Sequence, residues 1–309
     1  SVGTLRYAPR YNAELVSQAL LGTHVRILEE ERGWLRVQTP DGYIGWMKGS
    51  VEPMTKSELH EYNKQPKVIV TSIFANSYEK ADGNSLPVSD LVIGNILNVK
   101  SESDRFFEVV YPDGRNAFVK FSDVMKLSEW LNNIELTGES IVNTSYRFKG
   151  VPYAWGGTSS KGVDCSGFTK SVYFMHGIVL ARDASQQVNQ GELVDADRDF
   201  SKLLPGDLIF FGTKDKTSER VVHVGIYIGN NYFYCLVLDD ALRRVLLQSW
   251  ARVEKPNLKT SVVLAPGCLS CLEYPADDHR VRVRLPVRSN IVPWPFRNEC
   301  IASIPFNVR

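Results

Sequence analysis

The sequence predicts a multidomain protein in which two small all-β barrels precede an α+β domain. Three observations carry that expectation. The chain has 309 residues, room for two or three domains at roughly 100–200 residues each. An internal repeat fills its N-terminal half, and from residue 153 the pattern runs loop, helix, then strands. Hydrophobic residues at 43% and charged residues at 23% suit an ordinary packed chain and exclude a disordered one. With 36 basic and 35 acidic side chains the net charge is +1, so no overall field recruits nucleic acid or an anionic membrane. No apolar run approaches the roughly 18 residues of a transmembrane helix. Residue 1 is Ser with no apolar signal segment behind it, as expected where a leader has been removed or the chain trimmed. Five cysteines, an odd count in a long chain, do not describe a disulfide scaffold.

The repeat justifies the barrels. Residues 20–48, LLGTHVRILEEERGWLRVQTPDGYIGWMK, align without gaps on residues 92–120, VIGNILNVKSESDRFFEVVYPDGRNAFVK, at an offset of 72. Gly22 meets Gly94, Trp34 meets Phe106, Pro40-Asp41-Gly42 meets Pro112-Asp113-Gly114, and Lys48 meets Lys120. Each copy alternates apolar and polar residues around its Pro-Asp-Gly turn, the pattern of short antiparallel strands. The copies resemble bacterial SH3-like domains, expected over residues 1–62 and 66–126.

Residues 127–150 read as a helical connector, with Trp130, Ile134, Ile141, Tyr146 and Phe148 among polar residues and a helix start at Thr137. The third domain is expected over 151–309. Phe168, Val172 and Met175 lie at helical spacing behind Asp164-Cys165-Ser166-Gly167, and Gly177 closes that helix. Leu204-Pro205-Gly206-Asp207 turns into the buried strand Leu208-Ile209-Phe210-Phe211. From His223 to Ile228 residues alternate, with His223, Gly225 and Tyr227 on one face, and Gly229-Asn230-Asn231 turns into a further strand.

Cys165 is the candidate nucleophile. An isolated cysteine is ordinarily a small buried hydrophobe. Here it falls in the first turn of a helix, where unpaired N–H groups and the helix dipole favour a thiolate. Ser166 and Gly167 are small enough to leave room for a substrate carbonyl, and His223 is a separated partner of the kind a thiol needs as base.

Five ordered motifs extend this pair: Tyr153-Ala154-Trp155-Gly156-Gly157, Asp164-Cys165-Ser166-Gly167-Phe168, Arg182-Asp183-Ala184-Ser185-Gln186, Leu204-Pro205-Gly206-Asp207-Leu208 and His223-Val224-Gly225-Ile226-Tyr227. Together they resemble the NlpC/p60 family of papain-like cell-wall cysteine peptidases. With SH3-like repeats ahead, the likeness is to its γ-D-glutamyl-L-diamino acid endopeptidases, and it covers about residues 1–234. The resemblance implies a papain-like α+β domain, Cys165 as nucleophile and His223 as base. The Cys165 N–H and the Tyr153 hydroxyl are then donors to the oxyanion, and Tyr153 and Trp155 line the cleft. Asp164 and Ser166, with Ser185, would hold the free amine of an N-terminal L-Ala. Glu14 and Tyr43 of the first barrel would wall the site and exclude longer peptides. The implied substrates are murein stem peptides. No metal or organic cofactor and no nucleic acid are expected, the chain is expected to be a monomer, and it would work in the periplasm or outside the cell, or else in cytoplasmic recycling of imported peptides.

One position departs from the family. Its third polar residue, usually a His that orients the base, falls on Cys235, and a thiol orients imidazole poorly. Asp239 and the remoter His279 are substitutes, and beyond Tyr234 the likeness fades. Two other readings therefore stand beside an active peptidase: a catalytically impaired protein that binds wall peptides, and a related thiol acyltransferase or amidase. Cys268-Leu269-Ser270-Cys271 lacks the second pair of a zinc site, and Arg280, Arg282, Arg284 and Arg288 form a basic stripe at strand spacing.

Overall fold

A computed structural model describes residues 1–194, 201–214, 219–230, 232–239, 244–252, 263–264 and 281–284. The first unit holds β1 (Val2–Arg6), β2 (Leu15–Leu20), β3 (Arg26–Glu31), β4 (Trp34–Gln38) and β5 (Ile44–Met47) in the order β2-β1-β5-β4-β3. Leu5, Ala19, Val37 and Met47 fill its core. Helix α1 (Lys56–Lys64) follows, unforeseen because it is short and its inward face is only Leu59, Tyr62 and Asn63, none fully buried. Its start was written in the sequence, since Thr55 and Glu58 form a reciprocal capping box.

The second unit holds β6 (Lys67–Val70), β7 (Phe74–Tyr78), β8 (Pro87–Val92), β9 (Ile96–Glu102), β10 (Phe106–Val110), β11 (Asn116–Lys120) and β12 (Val124–Lys126). Its sheet runs β12-β6-β9-β10-β11-β7-β8. Strands β7 to β11 repeat β1 to β5 in the same neighbour order, and Trp34–Gln38 lies on Phe106–Val110 at the sequence offset of 72. The paired glycines share the left-handed backbone that their turns require, at φ 85° and 87° for Gly22 and Gly94. Gly22 packs on the Ile96 backbone and Gly94 on the Leu20 side chain, so the units meet through matching turns.

Helices α2 (Leu127–Asn132) and α3 (Gly138–Arg147) lead into the third unit, with Thr137 capping α3. The short strands β13 (Thr158–Ser159) and β14 (Gly162–Val163) precede α4 (Cys165–Phe174) and α5 (Ala184–Gln187). Strands β15 (Glu192–Leu193), β16 (Leu208–Lys214), β17 (Glu219–Gly229), β18 (Tyr232–Asp239), β19 (Arg244–Arg252), β20 (Val263–Leu264) and β21 (Val281–Arg284) build a sheet ordered β15-β21-β16-β17-β18-β19-β20. Phe168 and Val172 of α4 pack on Phe210, Val224, Ile226 and Tyr234, while Ile209, Tyr227, Phe233 and Cys235 pack together in a second cluster. Helix α4 thereby lies against β17 with its N-terminus facing the first unit.

No helix among the described residues is long and apolar enough to cross a membrane. Cys268, Cys271, His279, Arg280 and Arg288 lie outside the described residues.

Candidate active site

The site forms where the N-terminus of α4 meets the first β unit. Asp164 is the N-cap: its Oδ1 accepts from the Gly167 N–H at 2.7 Å and its Oδ2 from the Gly156 N–H at 3.0 Å. Arg182 completes that carboxylate, donating from its two terminal nitrogens at 3.2 and 2.5 Å, and it also donates to Ser166 Oγ at 2.9 Å. Burial pulls the guanidinium down, but Asp164 outweighs it and holds Arg182 above the usual arginine value. Asp164 and Ser166 therefore face a buried arginine, and their first task is to fix the helix start. Arg182 carried no role in the sequence reading, since only the fold brings it to Asp164.

Gly167 is small for a different reason from the one expected. A Cβ there would come within 1.9 Å of the Gly157 carbonyl, so the space is taken by the 154–157 loop and is not reserved for substrate. Gly156 in the same loop, at φ 78°, presses on the Leu15 carbonyl of the first unit.

Cys165 is the first residue of α4, so its N–H has no partner within the helix and stays available to an oxyanion. Its side chain is 8% exposed. Burial, then the neighbouring Asp164, pushes the thiol up to about 12, against backbone N–H groups of Val224 and Ser166 and the Arg182 charge that favour the anion. Desolvation of the sulfur thus opposes the N-terminal field that favours a thiolate. The Val224 contact also puts the sulfur beside β17 one residue after His223.

His223 stands beside a β-bulge. Phe211 pairs with His223 while the next residue, Gly212, pairs with Val221, leaving Val222 as an extra residue in β17. The His223 ring lies 5.7 Å from that of Phe211, and its Nε2 is buried without a hydrogen-bond partner among the described residues. Cys235 is on β18 beside Gly225, with its Cβ 3.1 Å from where a Cβ would stand on that glycine, and packs with Ile209, Tyr227 and Phe233. Among the described residues His223 Nε2 accepts or donates no hydrogen bond, to Cys235 or any other group. Asp239 ends β18, paired in register with Arg244.

The first unit supplies one wall. Trp155 Nε1 donates to Glu14 Oε1 at 2.6 Å, although Trp155 is 65% exposed. Tyr43 is raised by burial, then by Asp183, with Arg182, Glu14 and Asp164 also felt, which places its hydroxyl among the charges of the site. Tyr153 packs against the cluster that contains Cys165 and bridges to Val163. Ser185 is exposed on α5, where its carbonyl accepts from Asn189. The structure thus brings Asp164, Ser166, Trp155, Glu14 and Tyr43 to the N-terminus of α4, where Cys165 stands, and packs Tyr153 against the core cluster that includes Cys165. Among the described residues no group of three His, Cys, Asp or Glu side chains could hold a metal.

Comparison with known proteins agrees with this architecture. A profile of the NlpC/P60 family matches residues 150–237, and one of the bacterial dipeptidyl-peptidase SH3 domain matches residues 5–50. Two relatives are named gamma-D-glutamyl-L-lysine dipeptidyl-peptidase. The one from Bacillus cereus is 34% identical over 70% of this chain and 66% of its own length, and that from Bacillus subtilis is 31% identical over 69% of each. The chain thus spans about two thirds of the length of these relatives. A crystal structure of an NlpC/P60 family protein from Bacillus cereus superposes with a TM-score of 0.69 at 25% identity, over 92% of this chain and 97% of that one. An SH3-like N-terminal domain followed by a papain-like domain, with relatives alike over most of both, makes this chain a member of the NlpC/P60 family of peptidoglycan hydrolases.

Proposed function

We propose that this chain is a cysteine peptidase that hydrolyses the bond between γ-D-Glu and an L-diamino acid in peptidoglycan stem peptides with a free N-terminal L-Ala. The observation that carries the reading is the approach of the Glu14 carboxylate and Tyr43 of the SH3-like domain to the N-terminus of α4, where a helix-start cysteine stands. The names of the relatives support the choice of bond. In this reading the Cys165 sulfur attacks the γ-carbonyl carbon and its proton passes to His223 as the C–S bond forms, because burial keeps the resting thiol protonated. The oxyanion is met by the Cys165 N–H and the Tyr153 hydroxyl. The C–N bond then breaks with the proton returned from His223 to the leaving amine, which leaves a thioester. Water, deprotonated by His223, hydrolyses the thioester and restores the thiol. Glu14 and Tyr43 meet the substrate ammonium. Wall peptides would be met outside the cytoplasm.

The test is hydrolysis of L-Ala-γ-D-Glu-L-Lys followed by chromatography. Cys165→Ala is expected to lower the rate by about 10⁴ or more, and a rate equal to wild type refutes the reading. A second reading, a protein that binds wall peptides with little turnover, is favoured by the unpartnered Nε2 of His223. Cys235→His separates the two: a gain of about tenfold or more supports a weakened enzyme whose base lacks an orienter, and peptide binding with zero turnover in both forms supports the binder.

A further inference from the structure

Lys170 lies on α4, five residues after Cys165, and its ammonium joins three parts of the molecule. Its Nζ donates to Asp41 Oδ2 at 2.7 Å and to the Leu180 carbonyl at 3.0 Å. Leu180 begins the stretch that carries Arg182. Asp41 is the central residue of the Pro-Asp-Gly turn between β4 and β5, two positions before Tyr43. Its other oxygen lies 2.5 Å from the Thr39 hydroxyl, which is also 3.1 Å from the Tyr43 carbonyl, while the Thr39 N–H donates to that same carbonyl. One chain of polar contacts therefore runs from the nucleophile helix to the backbone of Tyr43.

The pair is buried, with the Asp41 side chain only 2% exposed. Burial pulls the Lys170 ammonium down and Asp41 pushes back against it. Around it the interface is not filled: a cavity lined by Gln18, Thr39, Asp41, Thr158 and Lys170 separates the turn from α4. Across this incompletely filled space the ion pair ties the turn directly to α4. Strength in such a pair matters less than its direction, since a buried pair is seldom better than apolar packing for stability yet fixes a geometry.

We infer that Lys170 is a positioning residue, which through Asp41 and Thr39 sets where Tyr43 stands and so how strictly the cleft demands a substrate with a free N-terminal ammonium. The inference rests on the peptidase reading above. It assigns specificity to a side chain on the far side of α4 from the chemistry, and it makes the first unit's wall an element clamped in place by the catalytic helix.

The experiment compares L-Ala-γ-D-Glu-L-Lys with its N-acetylated form as substrates of the full chain. Lys170→Met alone strands a buried carboxylate and threatens folding, so the informative variant is Lys170→Met/Asp41→Leu, which replaces the pair with apolar groups. This double variant is expected to melt close to wild type, to raise KM for the free-amine peptide about tenfold with kcat little changed, and to discriminate less against the acetylated peptide. Adding Tyr43→Ala is then expected to change KM no further. Wild-type KM and discrimination in the double variant, or a Tyr43→Ala effect that adds in full, overturns the inference while leaving the peptidase reading intact. A wild-type protein that cleaves neither peptide overturns both.

Discussion

The two Pro-Asp-Gly turns of the repeat occupy the same place in the same strand order and do different work. Asp113 pairs with Arg115 of its own turn, at 2.7 Å, with its side chain 42% exposed. Asp41 is buried against Lys170 of another unit. The difference extends to whole units. The first lies against the N-terminus of α4, where Glu14 reaches Trp155 and Gln18 accepts from the Thr158 N–H. The second lies at the other end of the helix, where Gly94 touches Phe174 and Ile69 and Ile96 pack with Leu127. At the offset of 72, Glu14 corresponds to Leu86, Tyr43 to Arg115 and His24 to Ile96. A duplicated scaffold gains a second role through where it docks, and substitutions at a few rim positions are enough.

The largest contrast is expected at the turns. Asp41→Ala leaves the Lys170 ammonium buried without its partner and should lower unfolding free energy by about 3–5 kcal/mol. Asp113→Ala breaks an exposed pair and should cost no more than about 0.5 kcal/mol. Urea denaturation of the two variants measures both, and equal losses would show that the turns are not differently placed.

His24 sharpens the comparison through pH. Burial, then Lys67, lowers His24 from its ordinary 6.5 to about 4, so the fold favours the neutral ring. As pH falls below 6.5 the unfolded chain takes up the proton first. Stability is therefore lost between pH 6.5 and 4, by about 3 kcal/mol, and levels off below. His24→Ile, which copies the second unit, is expected to flatten that part of the curve, and His176, lowered by burial as well, leaves a residual slope. Thermal melts across pH 4–7 decide it, with an unchanged slope counting against the assignment.

The smallest contrast concerns the cleft rim. Glu14→Gln should raise KM for the free-amine peptide about tenfold, whereas Leu86→Gln, on a 69% exposed residue, should leave it unchanged. Thiol chemistry gives a companion check. Alkylation of Cys165 by iodoacetamide is expected to keep rising above pH 8.5, since burial holds the thiol up, and a plateau already reached at pH 7 would reveal a preformed ion pair with His223.

Much of this was legible in residue order. The offset between Trp34 and Phe106 announced the duplicated strands, because side-chain alternation and turn glycines are local properties. The motif around Cys165 announced a helix start, and Asp164 indeed caps it. Helix α1 escaped, since its inward face is only Leu59, Tyr62 and Asn63, too few for a clear apolar period. Arg182 escaped too, because pairing with Asp164 depends on an approach across 18 positions of chain that no local pattern encodes. The bulge at Val222 is likewise invisible, a mismatch between two strands and not a property of either.

Strand alternation, turns, caps and the order of motifs were settled by neighbours a few residues apart, and there the amino-acid order alone sufficed. The burial of the Cys165 sulfur, the company kept by Asp164 and the unequal fates of Asp41 and Asp113 were settled only by packing. The reason is physical: a charge responds to the water and the partners around it, and those are supplied by distant segments brought together in folding.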